Sequence, residues 1–260
     1  MEFPANVGRS RRRRRRWGNR SWESPSLATS GQGVAPWREA FVSPRGLPPK
    51  LPMSRTAPRM PNRLAQSAFE LFGQYGFQSV TVDEIAAHAK VTKGSFYSHY
   101  DSKHAVILAA CQHYYRTYQQ RVHAEIAALH DPLERLRRVV EFSVKTCIID
   151  QQSRLFTTEV FALALRDAEV RAGWAQFYDS VREMYLGLLL AARAAGQVTV
   201  ADPRKAADLM LSAIEGIKQR AAFEPHVSDP SEQESIVDGL MHILGVPAKE
   251  EAAAGSRAPS

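Results

Sequence analysis

The feature of this sequence that most restricts its fold is a series of helix-start signals, each followed by apolar residues at helical spacing. Aspartate followed by proline occurs at residues 131–132, 202–203 and 229–230, and this pair suits an N-terminal cap and the first helical position. Apolar side chains then recur three or four residues apart, which is typical of amphipathic helices. Only residues 197–201 give a strand signal, and that stretch is short. The sequence therefore predicts an all-α fold with about nine helices.

The composition divides the chain into a basic N-terminal segment and a folded part. Residues 1–60 hold eight of the fifteen prolines and show no sustained apolar period, so they cannot bury enough surface to offset their ordering entropy. Residues 1–52 contain eleven Lys/Arg and three Asp/Glu, a balance of +8, which leaves −1 of the total of +7. We predict disorder over 1–60 and in a tail over 247–260.

The run Arg11 to Arg16 in the basic segment has two interpretations. It can serve as an arm that binds nucleic acid, and a non-specific nucleic-acid-binding protein is therefore one alternative function. Alternatively, translation starts at Met53 or Met60, since the helical pattern begins directly after Met60. No apolar segment follows the arginines, so we expect no secretory signal.

The first helices carry a distinct set of capping signals. Thr81 and Glu84 form a capping box, and Gly76 is a candidate helix end. Thr92 can cap the next short helix, and Asp101 or Ser102 can cap a long one that runs to Leu129. Three short helices within 61–105, the last two joined by a tight turn, predict a helix-turn-helix whose second helix enters a major groove.

The residues of this region strengthen that prediction. The stretch from Ala65 to Ala109 reads AQSAFELFGQYGFQSVTVDEIAAHAKVTKGSFYSHYDSKHAVILA. It resembles the N-terminal DNA-binding domain of the TetR family in its paired aromatics, its capped Ile-Ala-Ala helix, its Val-Thr-Lys-Gly turn and its aromatic-rich helix ending before Ser-Lys. The resemblance spans about 45 residues and implies a DNA-binding domain over 61–105.

Nine residues are candidates for DNA contact. They are Thr81, Thr92, Lys93, Gly94, Ser95, Tyr97, Ser98, His99 and Lys103. Hydroxyls and a lysine at the start of the recognition helix can reach base edges or phosphates, and we expect Lys93 and Ser95 to read bases most directly. Gly94 has no side chain, so the backbone can approach DNA closely there. Phe96 and Tyr100 are expected to face inward.

The resemblance adds roles to several of these residues. It implies that Tyr97 and His99 contact the phosphate backbone, and Lys103 matches the family lysine that holds a phosphate. Thr81 lies at a helix N-terminus, where the dipole favours an anion. From the residues alone, Tyr97 and His99 fit a solvated polar helix face equally well.

The resemblance also implies the plan of residues 106–246, a helical domain that binds a small molecule and dimerises. Dimerisation would use the last two long helices, about 203–222 and 230–244. A homodimer would hold its recognition helices about 34–36 Å apart to meet a palindromic operator on double-stranded DNA. Binding of an unknown effector would change that spacing and release the DNA. We therefore predict a ligand-responsive repressor.

Seven residues in the middle of the chain are candidates for effector contact. They are His113, Phe142, Phe156, Glu159, Trp174, Phe177 and Tyr178. Aromatic side chains line apolar pockets, and His113 or Glu159 could orient a polar group of the ligand. The same residue types also fill ordinary helical cores or lie on surfaces, so the sequence is compatible with a ligand site and with an ordinary structural role.

Other classes of protein have little support in the sequence. The motifs GxSxG, HExxH, GxxxxGK[ST] and GxGxxG are absent, so we predict neither an enzyme nor a cofactor. The two cysteines, Cys111 and Cys147, lack metal-site spacing. They fit a reducing, cytoplasmic setting, with a redox-sensing regulator as an alternative. No apolar run approaches the roughly 18 residues of a membrane span, so no membrane partner is expected.

Overall fold

The computed structural model describes residues 60–247. The predictions for segment 1–60 and tail 247–260 lie outside these residues, apart from Met60 and Pro247 themselves. The described part contains nine α-helices, one π-helical turn and two 3₁₀ turns, and no strand lies within it. The predicted all-α fold is therefore confirmed.

The nine helices are α1 (Met60–Ser79), α2 (Val82–His88), α3 (Lys93–Tyr97), α4 (Lys103–Ile126), α5 (Pro132–Val144), α6 (Gln151–Ala164), α7 (Ala168–Ala194), α8 (Pro203–Arg220) and α9 (Gln233–Ile243). Helices α2 to α8 each begin after a Ser, Thr or Asp whose side chain accepts a hydrogen bond from a backbone amide of the first turn. Such caps satisfy amide groups that have no partner inside the helix. The capping box at Thr81 and the Asp-Pro starts of α5 and α8 are confirmed.

Three helix ends differ in detail from the sequence prediction. Gly76 is a kink in left-handed conformation (φ 79°), and one more turn follows it to Ser79. The long helix α4 ends at Ile126, not at Leu129. The Asp-Pro pair at residues 229–230 opens a 3₁₀ turn, Pro230–Glu232, without a side-chain cap bond, so α9 begins only at Gln233. The amide of Glu232 already bonds to the carbonyl of Asp229, which closes this tighter turn.

The apolar core runs continuously from α1 to α9. At its N-terminal end, α1, α2, α3 and the start of α4 bury Leu64, Phe72, Ile85, Phe96 and Val106 completely. Helix α1 also packs against α6, so the first three helices rest on the following ones. The boundary between residues 105 and 106 stays a prediction, since α4 continues across it. None of the described helices is long and apolar enough to span a bilayer.

Candidate nucleic-acid interface and ligand cavity

The turn between α2 and α3 is held from inside the protein. The amide of Val91 donates to the carbonyl of Ala86 (2.9 Å), and the Arg63 guanidinium of α1 donates to the carbonyl of Ala89 (2.7 Å). On the inner side of α3, Phe96 is completely buried. Just beyond α3, the Tyr100 hydroxyl donates to the carbonyl of Pro61 (3.0 Å). Because these contacts involve the inner side of α3, its outer side remains accessible to a partner.

The outer side of α3 carries most of the predicted DNA contacts. Six of the nine candidates are exposed on or beside α3, and they are Thr92, Lys93, Gly94, Tyr97, Ser98 and His99. Ser95 is half-buried within α3, and Lys103 is half-buried in the first turn of α4. Thr81 is exposed at the start of α2.

Contacts between charged groups place the starts of α2, α3 and α4 near one another. Lys93 Nζ of α3 lies 2.9 Å from a carboxylate oxygen of Asp83 in α2. The Glu84 carboxyl accepts hydrogen bonds from the Thr81 backbone and hydroxyl, and these bonds lower its pKa, with a smaller contribution from the positive charge of Lys103 in α4. Three helix N-termini therefore offer polar groups close together, which suits a polyanion such as the DNA backbone.

Asp83 is a residue of this surface that the sequence analysis did not single out. Its hydrogen bond to Lys93, followed by its charge, raises the pKa of that lysine. The ion pair is exposed on both sides, so it is weak, and Lys93 can exchange Asp83 for a phosphate or a base edge. Asp83 and Lys93 are ten residues apart on different helices, which is why periodicity within one helix did not reveal the pair.

The hydroxyl groups of this surface are engaged to different degrees. Thr92 Oγ1 accepts from the amide of Ser95 (3.1 Å), and its own O–H remains able to donate to a phosphate. The Ser98 hydroxyl donates to the carbonyl of Ser95 (2.7 Å), so it is left as an acceptor. Tyr97 stands edge-on to Phe96, with 5.4 Å between ring centroids, and this contact orients its exposed ring.

A cavity lies among α4, α5, α6, α7 and α8. Its empty space is about 430 Å³ when the opening to solvent is included. The lining residues are Tyr114, Tyr118, Ser143, Cys147, Thr157, Trp174, Phe177, Tyr178, Val181, Leu211, Ile214, Glu215 and Lys218. This lining is mainly aromatic and aliphatic, with one carboxylate and one ammonium group, both from α8.

Three of the seven predicted ligand contacts, Trp174, Phe177 and Tyr178, line this cavity. Phe142 lies behind it and packs on Tyr118, with ring centroids 5.3 Å apart. The remaining candidates lie where α1, α4 and α6 meet. The effector role of all seven stays a prediction.

Three of the candidates contact helix α1 and its kink and do not line the cavity. They are Phe156, Glu159 and His113. Phe156 packs edge-on against Phe69 of α1 at 4.9 Å. Glu159 accepts a hydrogen bond from the amide of Phe77, the residue after the kink (3.2 Å). The ring of His113 lies 5.8 Å from Phe69, and burial lowers the pKa of this histidine. These contacts belong to the joint between the DNA-binding helices and the rest of the protein.

The cavity also contains polar groups that the sequence analysis missed. Tyr118 and Tyr185 each share a hydrogen bond with Ser143, at 2.8 and 2.6 Å, and Ser143 donates to the carbonyl of Val139. Two further residues of the lining, Lys218 and Glu215, form an ion pair. The apolar stripe of α8 suggested an ordinary core helix, and only packing against α7 shows that Lys218 points inward.

The two thiols are poorly suited to redox sensing. Burial raises the pKa of Cys111 to about 12 and that of Cys147 to about 11, and the thiolate is the reactive form. We expect Ellman's reagent at pH 7 to modify neither thiol rapidly in the folded chain and to modify two per chain in denaturant. Rapid modification of a folded thiol would instead support the redox-sensing alternative.

Comparison with known proteins agrees with this geometry. Residues 64–110 match the sequence profile described as bacterial regulatory proteins, tetR family. Residues 132–244 match the profile described as BetI-type transcriptional repressor, C-terminal. Together the two profiles cover both the α2–α3 unit and the helices around the cavity.

Individual relatives share either the N-terminal sequence or the fold. The regulator YerO of Bacillus subtilis is 40% identical over 52 residues, which are 20% of this chain and only 18% of YerO. A transcriptional regulator from Saccharomonospora viridis, solved in complex with choline, has a TM-score of 0.63 at 18% identity, covering 71% of this chain and 94% of that one. A TetR regulator from Haloarcula marismortui also has a TM-score of 0.63, at 17% identity, covering 71% and 96%.

The fold and the exposed α3 define a helix-turn-helix, DNA-binding regulator of transcription. With both profiles matched in order along the chain, the protein belongs to the TetR family.

Proposed function

We propose that this regulator is a repressor that binds a palindromic operator as a homodimer and leaves it when a small molecule enters the cavity. The observation that carries the proposal is α3, whose inner residue Phe96 is completely buried while Lys93, Tyr97 and His99 are exposed. A short helix anchored on one side and polar on the other matches a recognition helix in a major groove.

Features of α8 and α9 support the homodimer. Leu209 of α8 is an exposed large apolar residue, 60% accessible in the isolated chain. Gly216 of α8 and Gly239 of α9 have open space where a side chain would stand, so a second copy could pack closely there. Burial of Leu209 and close contact at these glycines would form a four-helix interface around a two-fold axis.

Helix α6 supplies a physical link between the cavity and the DNA-binding helices. Thr157 of α6 lines the cavity, and Glu159, two residues further, holds the backbone of Phe77 at the end of α1. A second link joins His104 of α4 to Asp167 before α7, at 2.8 Å. A ligand that displaces α6 or α7 would therefore shift α1 and α4, and with them the spacing of the two recognition helices.

The proposal is tested by selecting bound sequences from a random DNA pool. The full chain and the chain starting at Met53 are compared. A palindrome with half-sites about one helical turn apart, recovered with both proteins, would support the dimeric regulator. Binding without consensus that requires the Arg11–Arg16 run would contradict it and favour the non-specific alternative.

Replacing Lys103 by alanine tests the phosphate contact at the start of α4. A homodimer presents this lysine twice, so we expect operator affinity to fall about tenfold or more and the slope of log affinity against log salt to decrease by about 2. Fluorescence anisotropy with the selected operator measures both quantities.

The matched control is Arg193→Ala. Arg193 is exposed in the last turn of α7, away from the proposed dimer helices. This variant removes the same charge away from α2 and α3, so its affinity and salt slope should remain near those of the unmodified chain. Equal effects of the two variants would mean that Lys103 acts only through net charge.

A further inference from the structure

The mainly apolar cavity contains an ion pair whose lysine is buried. Lys218 is 2% exposed, and its ammonium lies 2.8 and 2.7 Å from the two carboxylate oxygens of Glu215. Glu215 is about one-quarter exposed, so it lies nearer the opening. Removing an ammonium group from water costs free energy. A lysine at this position is therefore expected to have a function.

The ammonium also occupies a place among aromatic rings. Lys218 Nζ lies 5.8 Å from the centroid of the Trp174 ring, within the range of a cation–π contact. Burial raises the pKa of Tyr178, and the nearby negative charge of Glu215 adds to this shift. Aromatic rings beside a carboxylate would suit a cationic ligand, but here the protein's own ammonium already fills that role.

The ammonium group of Lys218 can donate further hydrogen bonds. An ammonium has three N–H donors, and within residues 60–247 the hydrogen bonds of Lys218 go to Glu215 alone. Lys218 lines the cavity, so a remaining donor is available to an acceptor that enters there. Around it the surface is apolar, formed by side chains such as Phe177, Leu211 and Ile214.

We propose that the cavity selects small apolar carboxylates, whose carboxylate is held by Lys218 and whose hydrocarbon part lies among the aromatic rings. This inference rests on the proposed effector role of the cavity and specifies its ligand class. The incoming carboxylate competes with Glu215, which can turn towards the opening. A quaternary ammonium ligand is rejected, because it would meet the charge of Lys218 in a site of low polarity.

The test is calorimetric titration of the full chain with three probes that share a phenyl group. These are phenylacetate, the neutral phenylacetamide and the cationic benzyltrimethylammonium. We expect phenylacetate to bind at least tenfold more tightly than phenylacetamide and benzyltrimethylammonium not to bind. Equal affinity for acid and amide, preference for the cation, or no binding of phenylacetate at millimolar concentration would each overturn the proposal.

Two variants of the ion pair sharpen this test. Glu215→Gln removes the competing charge and should raise the affinity for phenylacetate several-fold. Lys218→Met should lower it at least tenfold and should create binding of benzyltrimethylammonium, because Glu215 and the rings are then free for a cation. Lys205→Met, on the exposed surface, is the control and should change neither affinity.

The measurement separates this inference from the proposed function. Carboxylate binding with the expected response to both variants, together with no operator in the DNA selection, would support the ligand class and contradict the repressor. An operator that is recovered, with a cavity that prefers the cation or the amide, would support the repressor and overturn the ligand class. If Lys218→Met fails to fold, an unchanged affinity of Glu215→Gln for phenylacetate would still count against the proposal.

Discussion

Replacing Phe96 by alanine is expected to lower the free energy of unfolding by about 3–5 kcal/mol, the usual cost of removing a buried phenylalanine side chain. Phe96 is completely buried and lies within 5.4 and 5.8 Å of the Tyr97 and Tyr100 rings, measured between centroids. It is the one buried residue of the five-residue helix α3. Its loss should therefore detach the recognition helix and abolish specific operator binding.

Tyr97→Ala is the matched control, since it removes the neighbouring aromatic ring from the exposed side of the same helix. Tyr97 is 49% exposed, so its removal should change the free energy of unfolding by less than about 1 kcal/mol. Operator affinity should nevertheless fall, because a homodimer loses the contact twice. Chemical denaturation and anisotropy measure the two effects. Similar unfolding free energies for both variants would contradict the anchoring role of Phe96.

Replacing Gly73 by alanine is expected to destabilise the protein by about 1–3 kcal/mol, although alanine normally favours a helix. A Cβ at this position would stand 2.5 Å from Gln152 Cγ and 2.8 Å from the Gln152 carbonyl oxygen of α6. The side chain can move, but the carbonyl belongs to the backbone of α6. Helices α1 and α6 must therefore separate.

Gly187→Ala in α7 provides the control, because the added methyl group would have no atom within 4 Å apart from its chain neighbours and the local backbone of its own helix. This variant should be neutral or stabilise the protein by up to about 1 kcal/mol. For Gly73→Ala we also expect weaker release of operator by the effector, since α6 no longer holds α1 in its original position. Thermal denaturation of both variants and operator titration with and without effector test this coupling. Equal stability of the two variants would contradict the close approach at Gly73.

The local structure of this protein could be predicted from its sequence. The capping box of Thr81 with Glu84 and the Asp-Pro starts at residues 131–132 and 202–203 are short-range signals, since cap and amide are within three residues of each other. Phe96 was likewise expected to face inward, and it is completely buried. The recognition helix and its outer residues followed from these signals together with the family resemblance.

Other features were decided only by tertiary packing. Phe156 and Glu159 have the residue types of a ligand site, yet α6 turns them towards α1. Lys218 appears in the sequence as an ordinary charged residue, and burial against Trp174 becomes visible only when α7 and α8 pack together. Helical period determines which residues share a face, whereas the neighbour that each face meets depends on contacts between distant parts of the chain. The sequence by itself thus determined most of the helices, the caps of α5 and α8 and the DNA-binding unit, and only the tertiary structure decided the lining and charge of the cavity.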